Sequence, residues 1–114
     1  MITYISGSIT NDRVETTRRF VYADGWLRLH GYKPIASLRL HYDLVDTLSE
    51  SDLRKVKLDV IAVCDCVLML PQWQESVDCC IELEYAKALG KKIIYFAYYD
   101  DGKEMDKDER EYDI

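Results

Sequence analysis

The chain has 114 residues, of which 48% are hydrophobic and 32% charged, and its formal net charge is −6. That length predicts one compact domain that can bury a core without disulfide or metal staples. The acidic balance excludes a basic nucleic-acid footprint, and no run approaches the ~20 apolar residues of a membrane span.

The N-terminus, "MITYISGS", carries neither a basic region nor a long apolar run, so it does not read as a signal peptide, and a cytoplasmic location is expected. Ile2–Ser6 is a β-branched and aromatic run that predicts a strand. Gly7 stops it, and Thr10 or Asn11 can cap the helix that follows. That helix carries Phe20, Val21, Ala23, Trp26, Leu27 and Leu29, has arginines on its polar side, and ends at Gly31. Tyr32–Ala36 reads as a weak second strand, with Pro34 marking a strand start or a sheet edge.

Residues 37–48 are ambiguous, a loop carrying one helical turn. Ser51 is positioned to cap a clearer helix with Leu53, Val56, Val60 and Val63 at helical spacing. "CVLMLP" (66–71) suits a strand buried on both faces. A helix starting near Ser76 and ending near Gly90 follows, and Lys91–Tyr99 is the last strand. Strands alternating with helices over short connections predict an α/β fold. The expectation is a single-domain open parallel sheet of flavodoxin or Rossmann type, with helices on both faces. The domain is expected over residues 1–99. Residues 100–114 hold eight acids and three bases and read as an acidic tail.

The four cysteines, at 64, 66, 79 and 80, lie in apolar runs as C-x-C and C-C pairs. Neither pair matches a structural zinc pattern, and neither adjoins one of the two histidines. Buried reduced thiols are expected, with no metal.

In an open parallel sheet, ligands gather beyond the C-terminal strand ends. Three segments meet there: Ser6–Gly7–Ser8, the stretch from Pro71 to Ser76, and the start of the helix that follows. Gly7 admits close backbone approach, and Ser6 and Ser8 add donors, although an ordinary strand-to-helix turn has the same composition. Ser76 reads as an N-cap and also as an anion site, with Asp78 in the first turn where a carboxylate suits the helix dipole.

Glu82 stands apart. Wound as a helix, it falls about 160° from the solvated Glu84, among apolar neighbours. Burying an unpaired carboxylate is costly. The residue is either satisfied in a structural network or serves as a nucleophile, base or ligand clamp near a cleft. Asp59 sits at the edge of its own helix's apolar stripe.

These residues carry a family resemblance. "YISGSIT" (4–10), "HGYKP" (30–34), "LRKVKLDVIAVCDCVLMLPQW" (53–73) and "ESVDCCIELEYAKALGKKI" (75–93) together resemble the nucleoside 2-deoxyribosyltransferase-like superfamily. Within it the chain is most similar to a small, often phage-encoded branch of unknown function. The resemblance implies cleavage or transfer of the N-glycosidic bond of a 2′-deoxynucleoside or its monophosphate. It implies Glu82 as the attacking carboxylate, Asp59 as the helix aspartate that protonates the leaving base, and Tyr4 as the residue that orients the nucleophile. Ser76 then matches a phosphate-binding position. The same fold also serves non-catalytic binding or sequestering of nucleotide-derived ligands, and that alternative stays open.

The double-displacement route implied needs no cofactor. The partner expected is a small nucleoside or nucleotide rather than a nucleic acid or a membrane. A homodimer or higher homo-oligomer is the expected assembly, with Trp73, Tyr98 and Tyr99 as candidate interface aromatics. One position departs from the branch and two have no settled role in it. Asp78 replaces a usual glycine, where a carboxylate would repel a phosphate and raise the pKa of Glu82. Asp65 and Trp73 match the branch, Trp73 being also a candidate substrate-binding residue with Ser6, Gly7, Ser8, Ser76 and Asp78, and Asp65 reading equally as a strand-edge residue that bonds local backbone.

Overall fold

The structure, a computed structural model, describes residues 1–97. The expected tail (100–114) and the aromatics Tyr98 and Tyr99 lie outside the described residues. Four strands, β1 (Ile2–Ser6), β2 (Lys33–Ala36), β3 (Cys66–Met69) and β4 (Lys92–Tyr95), form one sheet in the order β2-β1-β3-β4, and every pairing is parallel. Four α-helices connect them: α1 (Arg13–Leu29), α2 (Ser37–Leu44), α3 (Glu50–Val63) and α4 (Val77–Ala88). This is the α/β parallel sheet that the alternation of elements predicts.

The period-2 alternation of strand side chains divides the core in two. Ile5, Leu68 and Ile94 point to one face, where Phe20, Ala23 and Leu27 of α1 cover them. Tyr4, Val67, Met69 and Ile93 point to the other, beneath Ile61 of α3 and Cys79, Leu83 and Ala86 of α4. Burial on both faces explains why β3 reads as an unbroken apolar run. Among the described residues β2 is an edge strand that pairs only with β1, which is why it tolerates Pro34, a residue with no N–H to give to a ladder.

Several local expectations change. The cap of α1 is Asp12, whose side chain accepts from the Glu15 N–H at 3.0 Å. Thr10 is turned instead toward Thr16, with their hydroxyl oxygens 2.9 Å apart. The cap of α3 is Ser49, which accepts from the Asp52 N–H at 3.1 Å, because Ser51 already lies inside the helix. The ambiguous stretch after β2 contains a two-turn helix, α2, rather than a single turn. β4 stops at Tyr95.

On α4 the buried stripe is Cys79, Glu82, Leu83 and Ala86, while Val77 and Leu89 face solvent. The spacing i, i+3, i+4, i+7 is that of one helix face, and Glu82 occupies a full place in it.

Candidate active site

The turn after β1, the end of β2 and the N-terminal half of α4 converge on one cleft that α2 and α3 also line. It has two joined lobes. The first, about 160 Å³, is lined by Gly7, Ser8, Ile9, Ser37 and Ser76. The second, about 250 Å³, is lined by Val45, Leu48, Leu53, Glu50 and Arg54. His41, Lys57, Asp78 and Glu82 line both and form the junction.

Glu82 is 3% exposed, yet both of its carboxylate oxygens are engaged. The Tyr4 hydroxyl donates to Oε2 at 3.0 Å, and the Ser6 hydroxyl donates to Oε1 at 2.7 Å. Both donors come from β1. Tyr4 and Ser6 are two residues apart, so the pleat puts them on the same face, under α4. The carboxylate is thereby fixed in rotation and position. Its pKa is raised, burial being the main cause. The Ser6 bond, the Lys57 ammonium and the Tyr4 bond oppose the rise, and Asp78 adds slightly to it. Tyr4 is held well above the usual phenol range by burial and by the neighbouring carboxylate. Ser37 lies close enough to Tyr4 to oppose that rise, although its Oγ makes no hydrogen bond.

Ser76 is the N-cap of α4, its Oγ accepting from the Cys79 N–H at 3.2 Å. It faces the first lobe beside Gly7 and Ser8. Gly7 is closely packed: a Cβ there would fall 2.5 Å from Leu70 Cδ1 and 2.9 Å from Phe20 Cζ, so these side chains would have to shift. Asp78 is not a bare charge. Arg54 of α3 places Nε at 3.1 Å and Nη2 at 2.8 Å from Asp78 Oδ1, tying the starts of α3 and α4 together.

The structure differs from expectation at two site positions. Asp59 is exposed and lies outside the cleft lining. The residue of α3 that faces Glu82 is Lys57, in the buried stripe Leu53, Lys57, Ile61. Asp59 is two positions on, about 200° around the helix. Trp73 also sits outside both lobes. It lies on the 3₁₀ turn Trp73–Glu75, its ring 5.9 Å from that of Tyr95. Asp65 is at the opposite end of the sheet, where its Oδ2 accepts from the Ile2 N–H at 2.8 Å.

Sequence reasoning missed Lys57, His41 and Ser37. Lys57 carried the same signal as Glu82, a charged residue at a buried helical position. His41 and Ser37 lay in the stretch whose helix was not legible. The His41 pKa is lowered, chiefly by burial and then by Lys57. Among the described residues no group of three His, Cys, Asp or Glu side chains is placed to hold a metal ion. The four cysteines are free thiols, and burial pushes Cys64 up to about 11.

The four-stranded parallel sheet, with a buried carboxylate at the C-terminal strand ends, defines a protein of the nucleoside 2-deoxyribosyltransferase-like fold. Solved structures bear this out. The chain is similar to a 2-deoxyribosyltransferase from Bacillus psychrosaccharolyticus at 18% identity and a TM-score of 0.71, over 93% of this chain and 77% of that one. It is similar to the CMP N-glycosidase BcmB of Clostridium botulinum at 22% identity and a TM-score of 0.62, over 90% of this chain and 79% of that one. It is also similar to a 2-deoxyribosyltransferase from Leishmania mexicana at 21% identity and a TM-score of 0.61, over 83% and 63% respectively. At these identities the likeness is one of fold. By sequence, no curated protein matches. The chain belongs to the DUF4406 family, a domain of unknown function, whose family model matches residues 1–95.

Proposed function

We propose that this protein cleaves or transfers the N-glycosidic bond of a 2′-deoxynucleoside or its monophosphate, with Glu82 as the attacking carboxylate. The observation that carries the reading is the placement of Glu82. It is a buried carboxylate, held by two hydroxyls of β1, at the junction of a polar lobe and a larger lobe with a partly apolar wall. A carboxylate used only for structure has no need of a cleft. The chemistry of the three similar structures, two named as deoxyribosyltransferases and one as a nucleotide N-glycosidase, supports the same class of reaction.

Breaking the bond between C1′ and the base nitrogen builds oxocarbenium character on the sugar. Glu82 is placed to capture that cation, giving a glycosyl ester and a free base. Tyr4 and Ser6 limit its rotation, so the attacking oxygen is aimed before the sugar arrives. Water or a second base then displaces the carboxylate from C1′. Hydrolysis and transfer differ only in that acceptor. The reading includes a cytoplasmic setting and assembly as a homodimer, and a monomeric mass at micromolar concentration contradicts the dimer.

The test is incubation with a panel of 2′-deoxynucleosides, their monophosphates and CMP, followed by chromatography for free base. Release of base from at least one deoxyribosyl substrate supports the reading, and no release from any of them contradicts it. A second reading, a nucleotide-derived ligand-binding protein without turnover, is favoured by one observation: the residue of α3 that faces Glu82 is a lysine rather than a carboxylic acid. Tight binding of an intact nucleoside with no base release supports that reading instead.

A further inference from the structure

Lys57 is a buried charged side chain that the reaction outlined above leaves unused. It is 5% exposed. It lines both lobes at their junction, directly beside Glu82. Among the described residues its ammonium has no hydrogen-bond or ion-pair partner, although its charge is felt at both Glu82 and His41. The two carboxylates at the junction already have donors, Glu82 from Tyr4 and Ser6 and Asp78 from Arg54. An ammonium that lines a cleft with its donors unspent on the protein is available to a ligand there.

The lobes say which part of a ligand lies against it. The lobe with Ser76 and Gly7 is small and polar and suits sugar hydroxyls or a phosphate. The other lobe is larger, and the apolar part of its wall, Val45, Leu48 and Leu53, suits a planar base, with Glu50 and Arg54 at its side. A nucleoside laid across both puts its sugar–base bond at the junction. Glu82 and Lys57 both line that junction, so with one at C1′ the other is within the same space as the base. We infer that Lys57 is the catalytic residue that meets the departing base, donating a hydrogen bond to the acceptor atom next to the glycosidic nitrogen. The inference rests on the glycosidic reading above.

The step balances. The C1′–N bond breaks and its electron pair leaves with the base. A bond forms between C1′ and a Glu82 oxygen. The charge on the base is met by the ammonium, whose proton passes to the base and leaves a neutral amine. That amine then takes the proton of the attacking water or second base when the glycosyl ester is resolved. His41 is a poorer donor for the same place, since burial lowers its pKa and favours the neutral ring at neutral pH.

The experiment compares wild type with Lys57→Met, which keeps the apolar stem, and with Lys57→Gln, each checked for folding by circular dichroism. Base release is followed from an ordinary deoxynucleoside and from one whose base carries an electron-withdrawing group and leaves without assistance. The expected result is a loss in kcat of about 100-fold or more with the ordinary base and under about 10-fold with the activated one. Equal losses on both substrates overturn the inference and leave the glycosidic reading intact, since Lys57 then acts only on Glu82. A loss confined to monophosphates also overturns it, by making Lys57 a phosphate contact. If both variants are unfolded, Lys57 is structural and the inference falls. If the wild type releases no base from either substrate, the glycosidic reading and the inference fall together.

Discussion

Tyr4 and Glu82 are 78 positions apart in the chain, and the Tyr4 hydroxyl donates to Glu82 Oε2 at 3.0 Å. The bond joins the strand that opens the fold to the helix that precedes its last strand. Glu82 is thus held by the sheet itself and not by a loop, which keeps its carboxylate within the tight limits of direction that the proposed role requires.

Tyr4→Phe removes that donor and leaves Oε2 unpaired. The expected cost in stability is about 1–3 kcal/mol, the penalty for a buried acceptor that loses its partner. The expected loss in kcat is about 100-fold, as for a misaligned reacting group. The Tyr4 bond is one of the factors that oppose the raised pKa of Glu82, so its removal raises that pKa further. The acid limb of the pH–rate profile is therefore expected to move to higher pH in the variant. A limb that stays in place or moves down contradicts the assigned bond.

Arg54→Ala tests the treatment of substrate charge. A carboxylate at position 78 predicts from sequence that phosphate is repelled. The structure pairs Asp78 with Arg54, so the repulsion is offset while the pair holds. Removing Arg54 frees the Asp78 charge. Monophosphate affinity is expected to fall more than nucleoside affinity, measured by calorimetry on the two ligands side by side. Equal falls show that Arg54 shapes the lobe without governing charge.

Gly7→Ala addresses the turn after β1. The added Cβ would overlap Leu70 Cδ1 and the Phe20 ring, so the core must shift. Overpacking of this kind typically costs about 1–3 kcal/mol. Urea unfolding should show a lower midpoint with an unchanged slope. An unaltered midpoint means that Gly7 is not kept by packing.

The fold was legible because its signals are physical and local. The apolar run of β3, the glycines beyond α1 and α4, and Pro34 on the edge strand each follow from burial or backbone geometry. Glu82 was legible because a carboxylate on a buried face is conspicuous. Lys57 was not, because Val56, Val60 and Val63 also make a helical stripe, and that stripe hid the register Leu53, Lys57, Ile61 that is actually buried. A long aliphatic stem lets a lysine sit among core residues without breaking the pattern. Asp59 came from the resemblance, and the rotation of α3 sends it to solvent. α2 was illegible because its polar residues and short length give a helical pattern too little to act on, and with it went His41 and Ser37.

Glu82→Gln tests the central claim most directly. Because the folded protein raises the pKa of Glu82, its ionisation works against folding. The favourable contribution is present below the unfolded carboxylate pKa and is lost as pH rises through the folded value. The glutamine variant lacks that loss, so relative to wild type it should be more stable at neutral pH than at pH of about 4. Base release from deoxynucleosides by purified wild type and Glu82→Gln, on samples shown by thermal unfolding to be folded, is the decisive measurement. The account predicts release by the wild type and a rate lower by at least about 1,000-fold in the variant, equivalent to about 4 kcal/mol of barrier. A folded variant that releases base at the wild-type rate contradicts the account.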